Sequence, residues 1–539
     1  MLGGGGGEAA GALGGADAAA PRPPFPERQP GSSMGRGGHD TQASMPLKQI
    51  SARDAVTMMV RGNLGPGMLA LPYAFGQAGW LAGTVVMVLT IAQGMYSMQV
   101  LTSCERTLVA ELAAQADEDS GSAEPAERLT LGEVVKLSLG RRGSKFVEFI
   151  VFIAQAGTCC IYISMVTENL LQLVPAAFRP SMTLALLTLA PVMFGGMSLV
   201  KGVAEMRSIS MVGNAAMVLV TIVCAASGLG ALFWPDVALG PPGDTSAWDG
   251  HAGPVTGARD LVMLTSSTFY AFEGMGLVLP IANSMAEPER FGESLRVASL
   301  ILGTCYALTG VSCGIAFRSE GLGAGSVTAF LASHARERGA SGALIAAYDG
   351  LNALVAVVVY LTFSLQLLPA AQVLSKWCAG CSCCSGRAEG RGAGGSGKEE
   401  MRPLTRQSVV GGDGQDDELS RESIDDAQRP VFSESATIAP PVERKCDVQR
   451  ATQRLSLVAA CIALTVAVPE VGLLVGLFGS VGWTVLAATP PLCRVVLLHR
   501  AGKLRCGVRV AFDVWFICFC AFITVVGTTL ALQDIVAAW

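Results

Sequence analysis

Two apolar segments of this chain carry glycine, proline and polar residues at matching positions. The first reads VRGNLGPGMLALP over residues 60–72, and the second reads FYAFEGMGLVLP over residues 269–280. Each contains Gly-x-Gly followed by Leu-Pro, which predicts that a membrane-spanning helix unwinds there. Unwound backbone inside a bilayer is tolerated only where protein or a water-filled cavity satisfies its N–H and C=O groups. A pair of such breaks in corresponding halves of a chain indicates the binding site of a secondary transporter.

In the first segment, the helix that restarts after Gly67 points its N-terminal N–H groups at the middle of the bilayer. This end of a helix carries a partial positive charge, so it suits a carboxylate. Asn63 adds a hydrogen-bonding side chain beside it. We therefore predict substrate contacts at Asn63, Gly65, Gly67 and Met68. The alternative is that the glycines serve helix packing, as small residues often do in membranes.

In the second segment, Glu273 stands beside a Gly-Met-Gly run. An acidic residue inside the membrane is rare, and its default interpretation is functional. A carboxylate and unwound carbonyl groups together suit a substrate ammonium group, so we predict contacts at Phe272, Glu273, Gly274 and Gly276. Burial favours the neutral form of a carboxyl group, which makes Glu273 the predicted proton carrier. The alternative is that Glu273 caps the broken helix or pairs with Arg61.

Other polar residues in apolar segments leave two interpretations open. Arg61 either extends its charged head to the cytosolic interface or gates the inner path to the site. Thr362 and Ser364, followed by Gln366, form a polar stripe, and we predict that the first two contact substrate. Hydrogen bonding between helices would explain this stripe equally well. All four histidines of the sequence fall outside the predicted span centres, so a histidine proton relay is not expected. No metal site or cofactor is predicted.

The composition is that of a membrane protein. The 539 residues are 51% hydrophobic and 15% charged, whereas soluble domains carry about 25% charged residues. The net charge of −5 gives no argument for nucleic-acid binding. An enzyme is not predicted, since no His-Glu-x-x-His motif or pair of membrane aspartates supports one.

Apolar windows long enough to span about 30 Å of hydrocarbon recur eleven times in the sequence. They lie near 56–78, 80–103, 146–171, 181–200, 209–233, 261–284, 296–317, 342–374, 454–470, 472–497 and 511–537. The predicted organisation is a disordered cytosolic tail (1–54), spans 1–8 (55–375), a disordered cytosolic insertion (376–453) and spans 9–11 (454–539).

The basic residues of the loops predict the orientation, because positive charge is enriched on the cytosolic side. With the N-terminus in the cytosol, that side receives Arg106, Arg128, Lys136, Arg141, Arg142, Lys201, Arg207, Arg290, Arg494, Arg500, Lys503 and Arg505. The opposite side receives only Arg179, Arg259, Arg318, Arg336 and Arg338. This asymmetry favours a cytosolic N-terminus and an odd number of spans.

The two broken segments resemble those of a known family. Residues 62–75, ending before Gly79-Trp80, resemble the first helix of the amino acid/auxin permease family, and residues 272–283 look like its sixth helix. The closest branch holds the proton-coupled and vacuolar amino-acid transporters. The likeness covers about residues 50–375 and 450–537. Pro66 departs from the pattern, since relatives usually have Thr or Ser at that position.

This resemblance implies an all-α polytopic membrane protein with about eleven transmembrane helices. The first ten would form a LeuT-type 5+5 inverted repeat in which helices 1 and 6 are broken. It also implies alternating access to a site for small neutral amino acids, with the substrate carboxylate held at Gly65 and Gly67. Protons are the expected coupling ion, and a vacuolar or lysosome-like membrane is favoured over the plasma membrane. A membrane sensor that binds amino acids and signals through its cytosolic segments is the alternative function.

Overall fold

Helices account for nearly all of the chain that the structure describes. The structure is a computed structural model, and it describes residues 50–120, 128–199, 206–233, 257–272, 274–317, 322, 325–379, 441–504 and 507–538. At 115–120, 206–212, 214 and 441–447 it describes the backbone only. Residues 1–49 of the predicted tail and 380–440 of the predicted insertion therefore lie outside the described residues.

The α-helices are numbered in chain order. They are α1 (Ala52–Asn63), α2 (Pro66–Ala78), α3 (Trp80–Ser120), α4 (Leu131–Leu173), α5 (Met182–Ser198), α6 (Met206–Phe233), α7 (Ala258–Ala271), α8 (Val278–Ser284), α9 (Phe291–Ala316), α10 (Val327–Glu337), α11 (Gly342–Ala379), α12 (Pro441–Ala467), α13 (Val471–Phe478), α14 (Thr484–Arg500) and α15 (Val508–Ala538). Short 3₁₀ turns lie at Ala176–Phe178, Gly274–Leu277 and Pro288–Arg290, and a π-helical turn lies at Gly479–Trp483.

Within the residues that the structure describes, eight helical segments are long and apolar enough to cross a bilayer. They are Trp80–Ala114, Leu131–Leu173, Ala215–Phe233, Ala258–Ser284, Pro288–Ala316, Gly342–Cys378, Val471–Arg500 and Val508–Ala538. Of the remaining predicted windows, 56–78 holds α1 and α2, 181–200 holds the shorter apolar helix α5, and 454–470 lies in α12. The all-α class with several membrane spans is confirmed, and the count of eleven spans stays a prediction.

The outer helices expose large apolar side chains, which suits a surface that faces lipid. Val192 of α5 is 74% exposed, Leu300 of α9 is 72% exposed and Val525 of α15 is 67% exposed. Apolar patches of this kind on a soluble protein would mark interaction sites. In contrast, α2 buries every residue except Tyr73 and Gln77. A helix that is apolar and buried all round lies in the interior of the bundle.

The helix α4 is the long element against which several others pack. Its start is fixed by a capping box, in which the Glu133 N–H donates to Thr130 Oγ1 and the Glu133 carboxylate accepts the N–H of Thr130. At Gly140 the backbone has φ of +74°, so the helix turns there, at a conformation that favours glycine. Along its length, α4 packs against α11, α12 and α14.

The short helix α10 was not predicted from the sequence. It follows α9 and is held on the end of α4 by polar contacts. The N–H of Ser326, its N-cap, donates to Glu168 Oε2 at 3.0 Å, and Thr328 Oγ1 donates to Asn169 Oδ1 at 3.0 Å. It is too short and too polar for a hydropathy window to detect. Its place depends on these contacts with a segment about 160 residues earlier in the chain.

Candidate functional site

The first helix break is two residues long and separates α1 from α2. Leu64 and Gly65 have extended backbone, with φ of −75° and −152°. The helix restarts at Pro66. Proline is favoured at a first helical position, because its φ is already helical and the missing N–H would have no partner there. Pro66, which departs from the resembling family, is therefore compatible with a helix that starts directly beside the break.

The second break separates α7 from α8. Phe272 caps α7 with φ of −100° and ψ of 52°, and the 3₁₀ turn Gly274–Leu277 leads into the seven-residue helix α8. Between Ala271 and Val278 the described residues are thus not α-helical. Glu273, the predicted proton carrier, lies outside the described residues. The broken first and sixth apolar segments predicted from the sequence are confirmed.

The two breaks contact each other. A Cβ atom added at Gly67 would lie 2.8 Å from the Cα of Ala271 and 3.0 Å from the Tyr270 ring. Only glycine allows α2 and α7 to approach this closely. A Cβ atom added at Gly274 would lie 2.7 Å from the side-chain nitrogen of Asn63. Each break therefore supplies a glycine at which the other one packs.

Tyr306 of α9 links the backbones of the two breaks. Its hydroxyl oxygen lies 2.8 Å from the carbonyl oxygen of Asn63 and 2.6 Å from that of Ala271. These carbonyls end α1 and α7, where helix dipoles concentrate partial negative charge. The hydroxyl has one proton, so it donates to one of them at a time. Tyr306 is fully buried, and water does not replace this contact.

A cavity of about 500 Å³ lies beside the two breaks. Its lining comes from α1, the first break, α4, α6, the second break, α8, α11 and the π-helical turn. The lining residues are Met58, Arg61, Gly62, Leu64, Gly65, Pro66, Gln155, Tyr162, Met217, Gly276, Leu277, Pro280, Ile281, Ser284, Val358, Val359, Thr362, Leu365, Gln366, Pro369 and Trp483. None of these is acidic, and in the described part of the chain no cluster of His, Cys, Asp and Glu could hold a metal ion.

Three of the thirteen buried polar side-chain atoms that have no hydrogen-bond partner within the described residues belong to residues that line this cavity. They are Arg61 Nε, Gln155 Oε1 and Trp483 Nε1. Asn63 Oδ1 lies beside the second break and is also without a partner, since the amide nitrogen of Asn63 donates to the Met59 carbonyl. Buried polar groups are nearly always paired, so unpaired ones that line a cavity indicate a ligand site.

Some of the predicted site residues line the cavity, and others do not. Gly65, Gly276 and Thr362 line the cavity. Asn63, Gly67, Met68, Phe272, Gly274 and Ser364 are not among the lining residues. Phe272, for example, packs against α3, where its ring lies 2.8 Å from a Cβ atom added at Gly94.

The sequence analysis missed most of the lining residues. Among them are Gln155 and Tyr162 on α4 and Trp483 in the π-helical turn. The Tyr162 hydroxyl lies 3.8 Å from a Cβ atom added at Gly65, and it accepts a hydrogen bond from the Gln366 amide at 3.4 Å. One signal was present: Gln155 and Tyr162 are seven residues apart in an apolar window, so they share a helix face.

A second cavity, of about 220 Å³, lies along α2 beyond the first break. It is lined by Ala70, Tyr73, Ala74, Gln77, Arg259, Asp260, Met263, Ser267, Gly472, Leu473 and Asp534. Arg259 at the start of α7 forms an ion pair with Asp534 near the end of α15. Along α2, the contact of Gly67 with Ala271 falls between the residues that line the two cavities. Within the described residues, these two cavities therefore border α2 on opposite sides of its contact with the second break.

Comparison with known proteins identifies the family. The family model for the transmembrane amino acid transporter protein matches residues 48–533. The Amino acid transporter ANT1 of Arabidopsis thaliana is 26% identical over 49% of this chain and 56% of its own length. The Proton-coupled amino acid transporter-like protein pathetic of Drosophila melanogaster is 22% identical over 90% of this chain and 85% of its own length.

The matches differ in how much of each relative they cover. The chain spans 56% to 62% of the length of the first three plant relatives that it matches. A solved Eremococcus coleocola manganese transporter, in complex with an aromatic bis-isothiourea substituted compound, superposes with a TM-score of 0.44 and 14% identity, over 93% of this chain and 88% of its own. That superposition is too loose to assign a fold. Because the family model covers nearly the whole chain, this integral membrane protein belongs to the transmembrane amino acid transporter protein family.

Proposed function

We propose that this protein is a secondary active transporter of small neutral amino acids, coupled to protons and working by alternating access. One observation carries the proposal: two helix breaks meet beside a cavity of about 500 Å³, a volume usual for small-molecule sites. Family membership supports amino acids as the substrate class and a transport role rather than an enzymatic one.

The helix ends at the breaks suggest how an amino acid is oriented. The N-terminus of α2 begins at Pro66, so its partial positive charge suits the carboxylate, beside the backbone of Gly65 and Gly67. The ammonium group is placed towards the second break, where Asn63 Oδ1 has no partner among the described residues. Glu273 and the backbone of Phe272, Gly274 and Gly276 complete this part of the proposed site.

The side chain of the substrate would then extend towards α4 and α11. Thr362 of α11 lines the cavity, together with Tyr162 and Gln366. The Thr362 hydroxyl donates to carbonyls of its own helix, at 3.0 Å to Val358 and 3.1 Å to Val359. It therefore presents an oxygen acceptor and a methyl group rather than a free donor. Met68 and Ser364 lie outside the lining, and their proposed contacts require a shift of the breaks during transport.

Alternating access is supported by contacts that join α1 to α8. A bridge at Ile50 and Met285 ties the chain before α1 to the chain after α8. At the other end, a Cβ atom added at Gly62 would collide with Leu277. We propose that α1 and α8 move as one unit and open or close the larger cavity. With the predicted cytosolic N-terminus, that cavity faces the cytosol, and the Arg259–Asp534 ion pair closes the opposite side.

Proton coupling is proposed to run through Glu273, and a vacuolar or lysosome-like membrane is the proposed location. The Drosophila relative is named as a proton-coupled amino acid transporter-like protein, and this supports proton coupling here. The test is uptake of labelled alanine into proteoliposomes, with and without an imposed pH gradient. Wild type should accumulate alanine only with the gradient, and Glu273→Gln should lose that response.

Glu470→Gln is the matched control, because Glu470 is the N-cap of α13, in the turn that follows α12, and lines neither cavity. It should keep gradient-driven uptake. If Glu273→Gln responds to pH as the wild type does, the proton pathway is elsewhere. If alanine binds to the purified protein but no flux occurs, the protein acts as a sensor and the transport proposal is wrong.

A further inference from the structure

Arg61 is a charged residue that faces the larger cavity and has no counter-charge among the described residues. It lies in the last turn of α1 and lines the cavity with Met58 and Ser284. Its Nε atom is buried and has no hydrogen-bond partner, and Arg61 forms no ion pair with the residues that the structure describes. A charge inside a membrane protein usually finds a partner or marks the path of a solute.

The described surroundings of Arg61 offer no negative charge, and Glu273 of the second break lies outside the described residues. The described lining has amide, hydroxyl and indole groups from Gln155, Tyr162, Thr362, Gln366 and Trp483, and it has no carboxylate. The N-terminus of α2, which begins in the same cavity, adds a partial positive charge. A carboxylate is therefore the substrate group that this cavity stabilises.

Two structural roles for Arg61 are weaker explanations. A basic residue in the last turn of a helix interacts favourably with the helix dipole, but that interaction does not require the guanidinium to line a cavity. Extension of the head group to the cytosolic interface would hydrate its terminal nitrogens, but it would leave the buried Nε atom without a partner. Both roles also predict that binding in the cavity does not depend on the charge of the solute. This dependence can be measured.

We propose that Arg61 selects amino acids by charge: the cavity accepts those with no net positive charge and excludes those with a cationic side chain. This inference rests on the proposed transport function and deepens it. A sphere of about 500 Å³ is roughly 10 Å across, so an ammonium group in the cavity remains within about that distance of Arg61. With an effective dielectric constant of about 20, repulsion at that distance disfavours a cation roughly tenfold.

The experiment compares competitors in proteoliposomes. Uptake of labelled alanine is measured with unlabelled alanine, glutamate or lysine in wild type, Arg61→Gln and Arg61→Lys. In the wild type, lysine should inhibit at least tenfold less well than alanine. Arg61→Gln should reduce this difference roughly tenfold and weaken inhibition by glutamate, whereas Arg61→Lys should keep the wild-type order because it keeps the charge.

Arg53→Gln is the matched control, because Arg53 is exposed in the first turn of the same helix and lines neither cavity. It should behave as the wild type. Equal inhibition by lysine and alanine in the wild type would overturn the inference, as would an unchanged ratio in Arg61→Gln. If Arg61→Gln fails to fold, Arg61→Met, which also removes the charge but keeps an unbranched side chain, takes its place, and the same change in the ratio is expected.

A second measurement separates this inference from the proposed function. Thermal stabilisation of the purified protein by alanine and by lysine reports binding without any need for flux. If no uptake occurs but alanine stabilises the protein and lysine does not, the transport proposal is refuted and the charge selection is supported. Uptake of alanine and lysine with equal efficiency would support transport and refute the role of Arg61.

Discussion

Replacing Tyr306 by phenylalanine removes a single hydroxyl from the contact between the two breaks and keeps the ring in place. The hydroxyl oxygen lies 2.8 Å from the Asn63 carbonyl and 2.6 Å from the Ala271 carbonyl, in a side chain with 0% exposure. One proton serves both carbonyls, so one hydrogen bond is lost. A buried acceptor without its donor costs about 1–3 kcal/mol. If the contact stabilises one state of the transport cycle, the balance between states shifts about 5-fold to 150-fold.

The assay combines stability with transport. The apparent melting temperature is measured in detergent, and the initial rate of alanine uptake is measured in proteoliposomes. Tyr348→Phe is the control, because the Tyr348 hydroxyl is also buried and lies 2.9 Å from Ser227 Oγ, between α11 and α6 rather than at the breaks. Both variants should lose some stability, but only Tyr306→Phe should lose at least about fivefold in maximal uptake rate.

Two outcomes would refute this reasoning. If Tyr306→Phe transports at the wild-type rate while its melting temperature falls as in Tyr348→Phe, the hydroxyl has a structural role only. If both variants lose transport equally, the breaks have no special dependence on Tyr306. A slower rate with an unchanged apparent affinity for alanine would place the effect on the conformational step rather than on binding.

The remaining predictions concern two glycines and one ion pair. Gly67→Ala places a Cβ atom 2.8 Å from the Cα of Ala271, so overpacking should destabilise the protein by about 1–3 kcal/mol, measured as a lower melting temperature. Gly65→Ala meets nothing closer than 3.8 Å; it should fold normally and raise the apparent KM for alanine by a factor of five or more, the equivalent of about 1 kcal/mol. An unchanged KM would argue against the proposed carboxylate position. Asp513→Asn removes the counter-charge of Arg494, whose Nε lies 2.8 Å from the fully buried carboxylate, and should cost about 3–5 kcal/mol. Partial recovery of the melting temperature in the double variant with Arg494→Gln would verify that the unpaired charge is the cause.

The sequence alone determined where the helices are interrupted and that the chain crosses a membrane several times. Proline restricts the backbone locally and glycine frees it, so a Gly-x-Gly beside proline within an apolar window predicts a break without knowledge of its neighbours. Pro66 begins α2 directly beside the first break. Apolar windows likewise depend on composition over about 20 residues, and every predicted window contains helix.

Only the tertiary structure decided what each residue at the breaks faces. Gly65 and Gly276 face the cavity, whereas Gly67 and Gly274 pack against the opposite break. The four glycines cannot be told apart in the sequence. Their environments differ because of contacts with segments about 200 residues away in the chain.

The same reason explains Tyr306, Tyr162 and Arg61. Tyr306 and Tyr162 stand in segments that read as ordinary helices, and Arg61 stands just before the first break. The role of each depends on which helices pack around it. Tyr306 acquires a role because two helix ends meet at its hydroxyl. Tyr162 and Arg61 acquire theirs because α4 and α1 border one cavity. Local residue type determines where the backbone breaks. What a side chain faces is determined by packing between elements that are distant in the chain, and the spacing of residues within one helix carries no information about that packing.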